Sequence, residues 1–181
     1  MTDPQTIAKL KKRNLALIGF MGAGKSTVSS CLKDMLDMKE VDTDAEIVRR
    51  EGMPIKEIFE KHGEDYFRKC ESEVILDLQK SSGIIISCGG GAVLREENVT
   101  NLKKGSTIVL LTATPETTLE RVKDSGERPI LNGNMNVDFI RSLQEKRSAK
   151  YEAAADIIIA TDGKTVQEIC EELVQELLKR L

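Results

Sequence analysis

An α/β fold, a parallel sheet with helices on both faces, is predicted by three observations. Short apolar runs rich in β-branched residues recur along the chain, segments with helical periodicity separate them, and the first run leads through a glycine-rich stretch directly into a helix. The runs are Leu15 to Ile18, a short stretch near Val41, Ile84 to Ile86, Ile108 to Leu111 and Ile157 to Ile159. A strand covered on both faces has no side to leave polar, so a continuous apolar run suits it.

The elements between the strands have their own signals. Lys9 to Arg13 is basic and reads as a solvated lead-in to the first strand. Val28, Cys31, Leu32, Met35 and Leu36 recur at helical spacing after the glycine-rich stretch. Ile47 to Leu78 is long and charged, and predicts two or three helices standing over one sheet edge, with Met53-Pro54 opening one of them. Thr114 is an N-cap with Pro115 at the first helical position, and Thr165 with Glu168 three residues on is a capping box. The last helix carries Val166, Ile169, Cys170, Leu173, Val174, Leu177, Leu178 and Leu181 on one stripe, which predicts a core-facing side. Asp124 to Asp138 contains Gly126, Pro129 and Gly133 and reads as a mobile loop or lid.

Composition narrows the function classes. The 181 residues suit one domain, 1–181, with a sizeable core. Basic and acidic residues number 27 and 30 and are interspersed, aromatics are 3%, and there is no Trp, which argues against nucleic acid as a partner. The N-terminus lacks an apolar leader core and no apolar run approaches the roughly 18 residues that cross a bilayer, so a cytosolic protein without a membrane partner is expected. Nothing in the sequence requires a dimer. Cys31, Cys70, Cys88 and Cys170 are widely spaced without a C-x-x-C pair, and His62 is the single histidine, which disfavours a zinc site. Cys31 and Cys170 fall on apolar helix faces and read as core residues. Cys88 borders a glycine triplet, so alkylating it is expected to obstruct a pocket there.

The glycine-rich stretch Gly19 to Thr27 fits the phosphate-binding loop G-x-x-x-x-G-K-[ST] at every fixed position. Such a loop lets successive N–H groups, here from Gly22, Ala23, Gly24, Lys25, Ser26 and Thr27, converge on phosphate oxygens at a helix N-terminus whose dipole also favours negative charge. Lys25 reaches the β and γ phosphates of a nucleoside triphosphate, and the Ser26 hydroxyl is placed to ligate Mg²⁺.

Residues at the carboxyl ends of the other strands are the next candidates, because ligands of open α/β sheets bind there. Asp42-Thr43-Asp44 follows the second strand, and on extended chain its two carboxylates point the same way. One would hold Mg²⁺ through water while the other accepts a proton from an attacking hydroxyl. Ser87-Cys88-Gly89-Gly90-Gly91 follows the third strand and offers N–H groups without side-chain obstruction. Arg68 and Glu71 stand at i, i+3 on one helix, so an ion pair would orient the guanidinium. Arg128 lies in the lid segment and Arg147 just before Tyr151.

Taken together, Gly19 to Thr27, Asp42-Thr43-Asp44, Phe67-Arg68-x-x-Glu71, Gly89-Gly90-Gly91, Arg128-Pro129-Ile130-Leu131 and Arg147 through Tyr151 closely resemble the shikimate kinase family, in order and spacing, over almost the whole chain. The resemblance implies a three-layer P-loop NTPase fold related to the nucleoside monophosphate kinases, with a five-stranded parallel sheet, a helical substrate-binding region (about 44–80) and a lid (about 124–138). It implies transfer of the γ phosphoryl group of ATP, with Mg²⁺, to the 3-hydroxyl of shikimate, on the route to chorismate and the aromatic amino acids. By position, Lys25 holds phosphates and Ser26 with Asp42 holds the metal. Asp44 binds shikimate hydroxyls and acts as base, while Arg68 and Arg147 clamp the carboxylate with Gly90 donating its N–H. Arg128 moves with the lid onto the phosphates, and Arg121 stacks near the adenine. One departure is Ala149, where the family commonly has proline within Arg-x-Pro-x-Tyr; the guanidinium and the tyrosine are retained. Competing readings are another small-metabolite kinase, acting on gluconate or a nucleoside monophosphate, and a nucleotide switch. A GTP switch needs N-K-x-D and D-x-x-G, and neither string occurs.

Overall fold

The computed structural model describes residues 4–123 and 136–181. Its sheet contains β1 Asn14–Ile18, β2 Lys39–Asp42, β3 Ile84–Ser87, β4 Ser106–Thr112 and β5 Ile157–Ala160. All pairings are parallel and the order is β2-β3-β1-β4-β5, as expected of this fold class. The chain leaves β1 toward one edge and β4 toward the other, which opens a crevice over the carboxyl ends of the central strands.

Among the described residues the helices are α1 Pro4–Leu10, α2 Lys25–Leu36, α3 Thr43–Glu51, α4 Ile55–Leu78, α5 Glu96–Gly105, α6 Pro115–Val122, α7 Val137–Ala154 and α8 Val166–Leu178. Successive strand side chains point to opposite faces, so the sheet sorts its own residues into two cores. Leu15, Leu17, Val109 and Leu111 pack with Val28 and Leu32 of α2 and Ile169 and Leu173 of α8. Ala16, Ile18, Ile86, Ile108 and Leu110 pack with Leu102 of α5, Val122 of α6 and Ile140 of α7. A smaller cluster of Ile47, Ile58, Phe67 and Val74 joins α3 to α4.

Local signals set the helix ends. Thr114 accepts from the Thr117 N–H at 3.2 Å with Pro115 at the first helical position, and Thr165 and Glu168 form the reciprocal capping box. The stretch from Ile47 to Leu78 forms two helices. Gly52 ends α3 at φ 68°, and Gly63, at φ 83° and ψ 173°, breaks α4.

Four expectations need correction. Lys9 to Arg13 is more than a solvated lead-in: α1 covers its start, Leu10 is buried, and Arg13 donates to the Ser106 carbonyl at 2.9 Å. Leu181 lies beyond the end of α8 and is exposed, so the apolar stripe stops a turn earlier. β5 is an edge strand covered on one side, with Ile157 and Ile159 buried but Ile158 exposed. The lid segment cannot extend to Asp138, because Asn136 caps α7 by accepting from the Phe139 N–H at 2.9 Å. The remainder, 124–135, including Arg128, lies outside the described residues.

Candidate active site

β1 delivers the chain into the glycine-rich loop, and Gly24, at φ 97°, turns it into α2. The first turn of α2 faces the crevice with N–H groups that have no acceptor inside the helix, and the helix dipole adds to their pull on anions. The Lys25 ammonium lies along the same loop, donating to the Gly19 carbonyl at 2.7 Å and the Phe20 carbonyl at 3.0 Å. A cleft of ≈ 540 Å³ opens here. Its walls bring together the loop from Gly22 to Thr27, Asp42, Asp44, Gly89, Gly90 and Arg121.

Asp42 and Asp44 share this cleft but not the extended geometry expected of them. Asp42 ends β2 and caps α3, accepting from the Ala45 N–H at 3.0 Å, so Asp44 stands in the first helical turn. An Asp just ahead of a helical run is an N-cap signal, and that competing pattern wins here. The Ser26 hydroxyl and the two carboxylates form a donor set of hard oxygens on one cleft, which suits Mg²⁺ held by few protein ligands together with phosphates and water.

At Gly89 the glycine triplet departs from the expectation that its N–H groups are offered to a ligand. The Gly89 N–H donates to Thr43 Oγ1 at 2.9 Å and is not offered to the cleft. What matters at Gly89 and Gly91 is the missing Cβ. At Gly89 it would come 2.7 Å from Asp44 Oδ1 and 3.2 Å from Glu71 Oε2, and at Gly91 it would come 2.6 Å from both terminal nitrogens of Arg68. The acidic start of α3 and the charged face of α4 therefore press directly on this backbone.

Arg68 is held as its spacing predicts. Its guanidinium donates to Glu71 at 2.9 and 3.2 Å, and Glu71 is 1% exposed. Burial pushes the Glu71 carboxyl above the usual glutamate range; Arg68 pulls it down, and the Asp44 charge pushes it up again. Arg147 stands on α7 with its guanidinium 5.7 Å from the centre of the Phe20 ring, beside Tyr151, whose hydroxyl donates to the Gly90 carbonyl at 2.5 Å. Arg68, Gly91 and Arg147 are not among the residues that line the cleft: Arg68 lies against Gly91, and Arg147 over Phe20.

A family model described as shikimate kinase matches residues 21–178. A shikimate kinase of Dehalococcoides mccartyi is 45% identical over 166 residues, covering 92% of this chain and 94% of the relative. The chain belongs to the shikimate kinase family. The structure of a shikimate kinase from Acinetobacter baumannii in complex with shikimate superposes with a TM-score of 0.89 at 31% identity, covering 97% and 98% of the two chains. A gluconokinase from Sinorhizobium meliloti superposes with a TM-score of 0.59 at 16% identity, covering 94% and 95%, and shares the fold alone.

In this shikimate kinase family member, Arg121 reaches from α6 to the phosphate loop, donating to the Gly22 carbonyl and to Thr161 Oγ1, each at 3.0 Å. Thr161 and Lys164, just past β5, line the cleft beside it and were missed from sequence. Their place at a strand's carboxyl end was the available signal. Thr43 and the hydroxyl of Tyr151 were also missed, since neither contact is local in sequence. Cys88 corrects another expectation. It is 1% exposed, and burial, with Glu71 nearby, pushes its thiol up to about 12, so slow alkylation is expected although the residue borders the cleft. No helix among the described residues is long and apolar enough to cross a membrane.

Proposed function

We propose that this chain is an ATP-dependent kinase that transfers the γ phosphoryl group to the 3-hydroxyl of shikimate, giving shikimate 3-phosphate and ADP. The observation that carries this reading is that one cleft joins the phosphate loop to the acidic start of α3 and to Gly89 and Gly90, with Arg68, bonded to Glu71, against the next glycine, Gly91. An acceptor held there lies between an anion-binding helix end and a carboxylate, the arrangement that in-line phosphoryl transfer requires.

Each residue then has a task. Lys25 exchanges its loop carbonyls for β and γ phosphate oxygens and stabilises charge that develops during transfer. Ser26 and Asp42 would hold Mg²⁺, which would supply positive charge against the phosphates. Asp44 takes the proton of the attacking hydroxyl, and Arg121 holds the nucleotide side of the cleft. Arg68 and Arg147 bind the shikimate carboxylate. We read the working unit as a cytosolic monomer, on the ground that a single chain supplies the cleft; sedimentation at assay concentration tests this.

ADP release measured with shikimate, quinate, gluconate and nucleoside monophosphates offered separately tests the substrate assignment. Turnover with shikimate is expected, and turnover with gluconate or a nucleotide in its place overturns the reading. Arg68→Lys and Arg147→Lys keep the charge but lose the planar fork, and are expected to raise the shikimate KM by the equivalent of about 1.5–3 kcal/mol each with little change in the ATP KM.

The pH dependence follows from Glu71. With its pKa raised on folding, the folded state holds the proton more tightly than the unfolded chain does. This contribution therefore favours the fold at low pH and is lost as pH rises through the folded pKa. Function moves the other way, because protonated Glu71 no longer anchors Arg68 as an anion. The shikimate KM should rise on acidification, beginning above the ordinary glutamate range, while the ATP KM stays level. Glu71→Gln should remove that acid limb and leave a uniformly raised KM.

A further inference from the structure

Three consecutive glycines form the least constrained backbone a chain can offer, yet Asp44, Glu71 and Arg68 all press against this segment. Its position has to come from outside itself. Besides the turn bonds from Ala92 N–H to the Gly89 carbonyl and from Leu94 N–H to the Gly91 carbonyl, two side chains grip it from different elements. Thr43, fully buried at the start of α3, accepts the Gly89 N–H at 2.9 Å. Tyr151, 4% exposed on α7, donates its hydroxyl to the Gly90 carbonyl at 2.5 Å. The two bonds hold adjacent glycines, one through a donor and one through an acceptor.

We propose that Thr43 and Tyr151 are positioning residues that clamp the glycine loop from two sides, and that this clamp fixes where the acceptor substrate sits against Asp44. Thr43 lies between Asp42 and Asp44, so the residue that fastens the loop also ties it to the start of the acidic helix. Tyr151 lies one helical turn from Arg147 on α7, and the positive charges of Arg147 and Arg68 act on its buried hydroxyl. The clamp thereby acts chiefly on the groups assigned to the shikimate side of the cleft, and adjoins the phosphate side only through the main-chain link of Thr43 to Asp42. The inference rests on the reading of Asp44 and the two arginines as that side.

The test is a set of variants that change little besides a hydroxyl: Thr43→Val, Thr43→Ser, Tyr151→Phe and the double variant Thr43→Val with Tyr151→Phe. Steady-state kinetics and calorimetric titration are run with shikimate and with an ATP analogue. Thr43→Val and Tyr151→Phe should each lower kcat/KM for shikimate about tenfold, the scale of leaving one buried polar group unpaired, with ATP affinity unchanged. Thr43→Ser, which restores the acceptor, should recover most of the loss. Because both bonds hold one loop, the double variant should lose less than the product of the single losses. Equal changes in shikimate and ATP parameters would mark a general structural role and overturn the proposal, as would unchanged kinetics or a serine that fails to rescue. Should Thr43→Val not fold, Tyr151→Phe decides alone. Asp44→Asn is run beside them: if it keeps full kcat, the underlying site reading fails, whereas an inactive Asp44→Asn with normal Thr43→Val and Tyr151→Phe overturns the clamp only.

Discussion

Lys25→Met is expected to abolish phosphoryl transfer while leaving the fold intact. Methionine keeps an unbranched stem of similar reach, and the packing of α2 is carried by Val28, Leu32 and Leu36, which stay buried against β1 and α8. What is lost is the ammonium, now on the Gly19 and Phe20 carbonyls, that phosphate oxygens would draw away. One preorganised donor aimed at developing charge is worth on the order of 10²–10³ in kcat, and a full positive charge on the transferring group places this variant at or beyond that range. The thermal midpoint should move little, because a partly exposed charge is removed and no cavity is made. A folded Lys25→Met enzyme that retains more than roughly a tenth of the activity would mean that Lys25 has been misassigned.

How much of this was legible in the sequence depended on how local each feature is. The β1 to α2 unit was readable because its glycines, lysine and following apolar positions are contiguous, and Thr114 and Thr165 were readable because a cap acts within three residues. Asp42 and Asp44 were correctly grouped but wrongly shaped: the i, i+2 spacing looked like strand, while Asp42 was itself the cap that starts α3. The glycine triplet is recognisable as special, but only part of the reason is local. N–H donation is the local reading, and of the three N–H groups that of Gly89 goes to Thr43; the absent Cβ atoms also admit side chains from α3 and α4, the latter about twenty residues earlier. Thr43 to Gly89 and Tyr151 to Gly90 are contacts across 46 and 61 positions, set by how helices dock on the sheet, and no period in the sequence reports them. Cys88 was misjudged for a related reason. Adjacency to a loop suggested access, but the strand end carries its side chain into the core below the sheet's rim.

Asp44→Asn should lower kcat on the order of 10² or more with only a modest change in the ATP KM. The amide matches the carboxylate in size, so it fits the close approach to Gly89, where a side chain atom on the glycine would stand 2.7 Å from Asp44 Oδ1. It still offers hydrogen bonds to ligand hydroxyls, which separates binding from proton transfer. The electrostatic setting supplies a second readout. Asp44 and Glu71 face the same glycine, and the Asp44 charge is one of the causes that hold the Glu71 carboxyl above its usual range. Removing that charge should let Glu71 titrate lower, so the acid limb of the shikimate KM should shift toward lower pH in the variant. Relief of the repulsion between two carboxylates should also keep the variant at least as stable as the parent near neutral pH, which removes unfolding as an explanation for lost turnover. Purified Asp44→Asn protein, assayed for ADP release across pH and for its thermal midpoint, distinguishes the outcomes. A large loss of kcat, a lowered acid limb and an unchanged or raised midpoint identify Asp44 as the proton acceptor beside Glu71. A nearly unchanged kcat would leave it a positioning residue at most, and an acid limb that stays in place would mean that the two carboxylates do not interact as their shared approach to Gly89 requires.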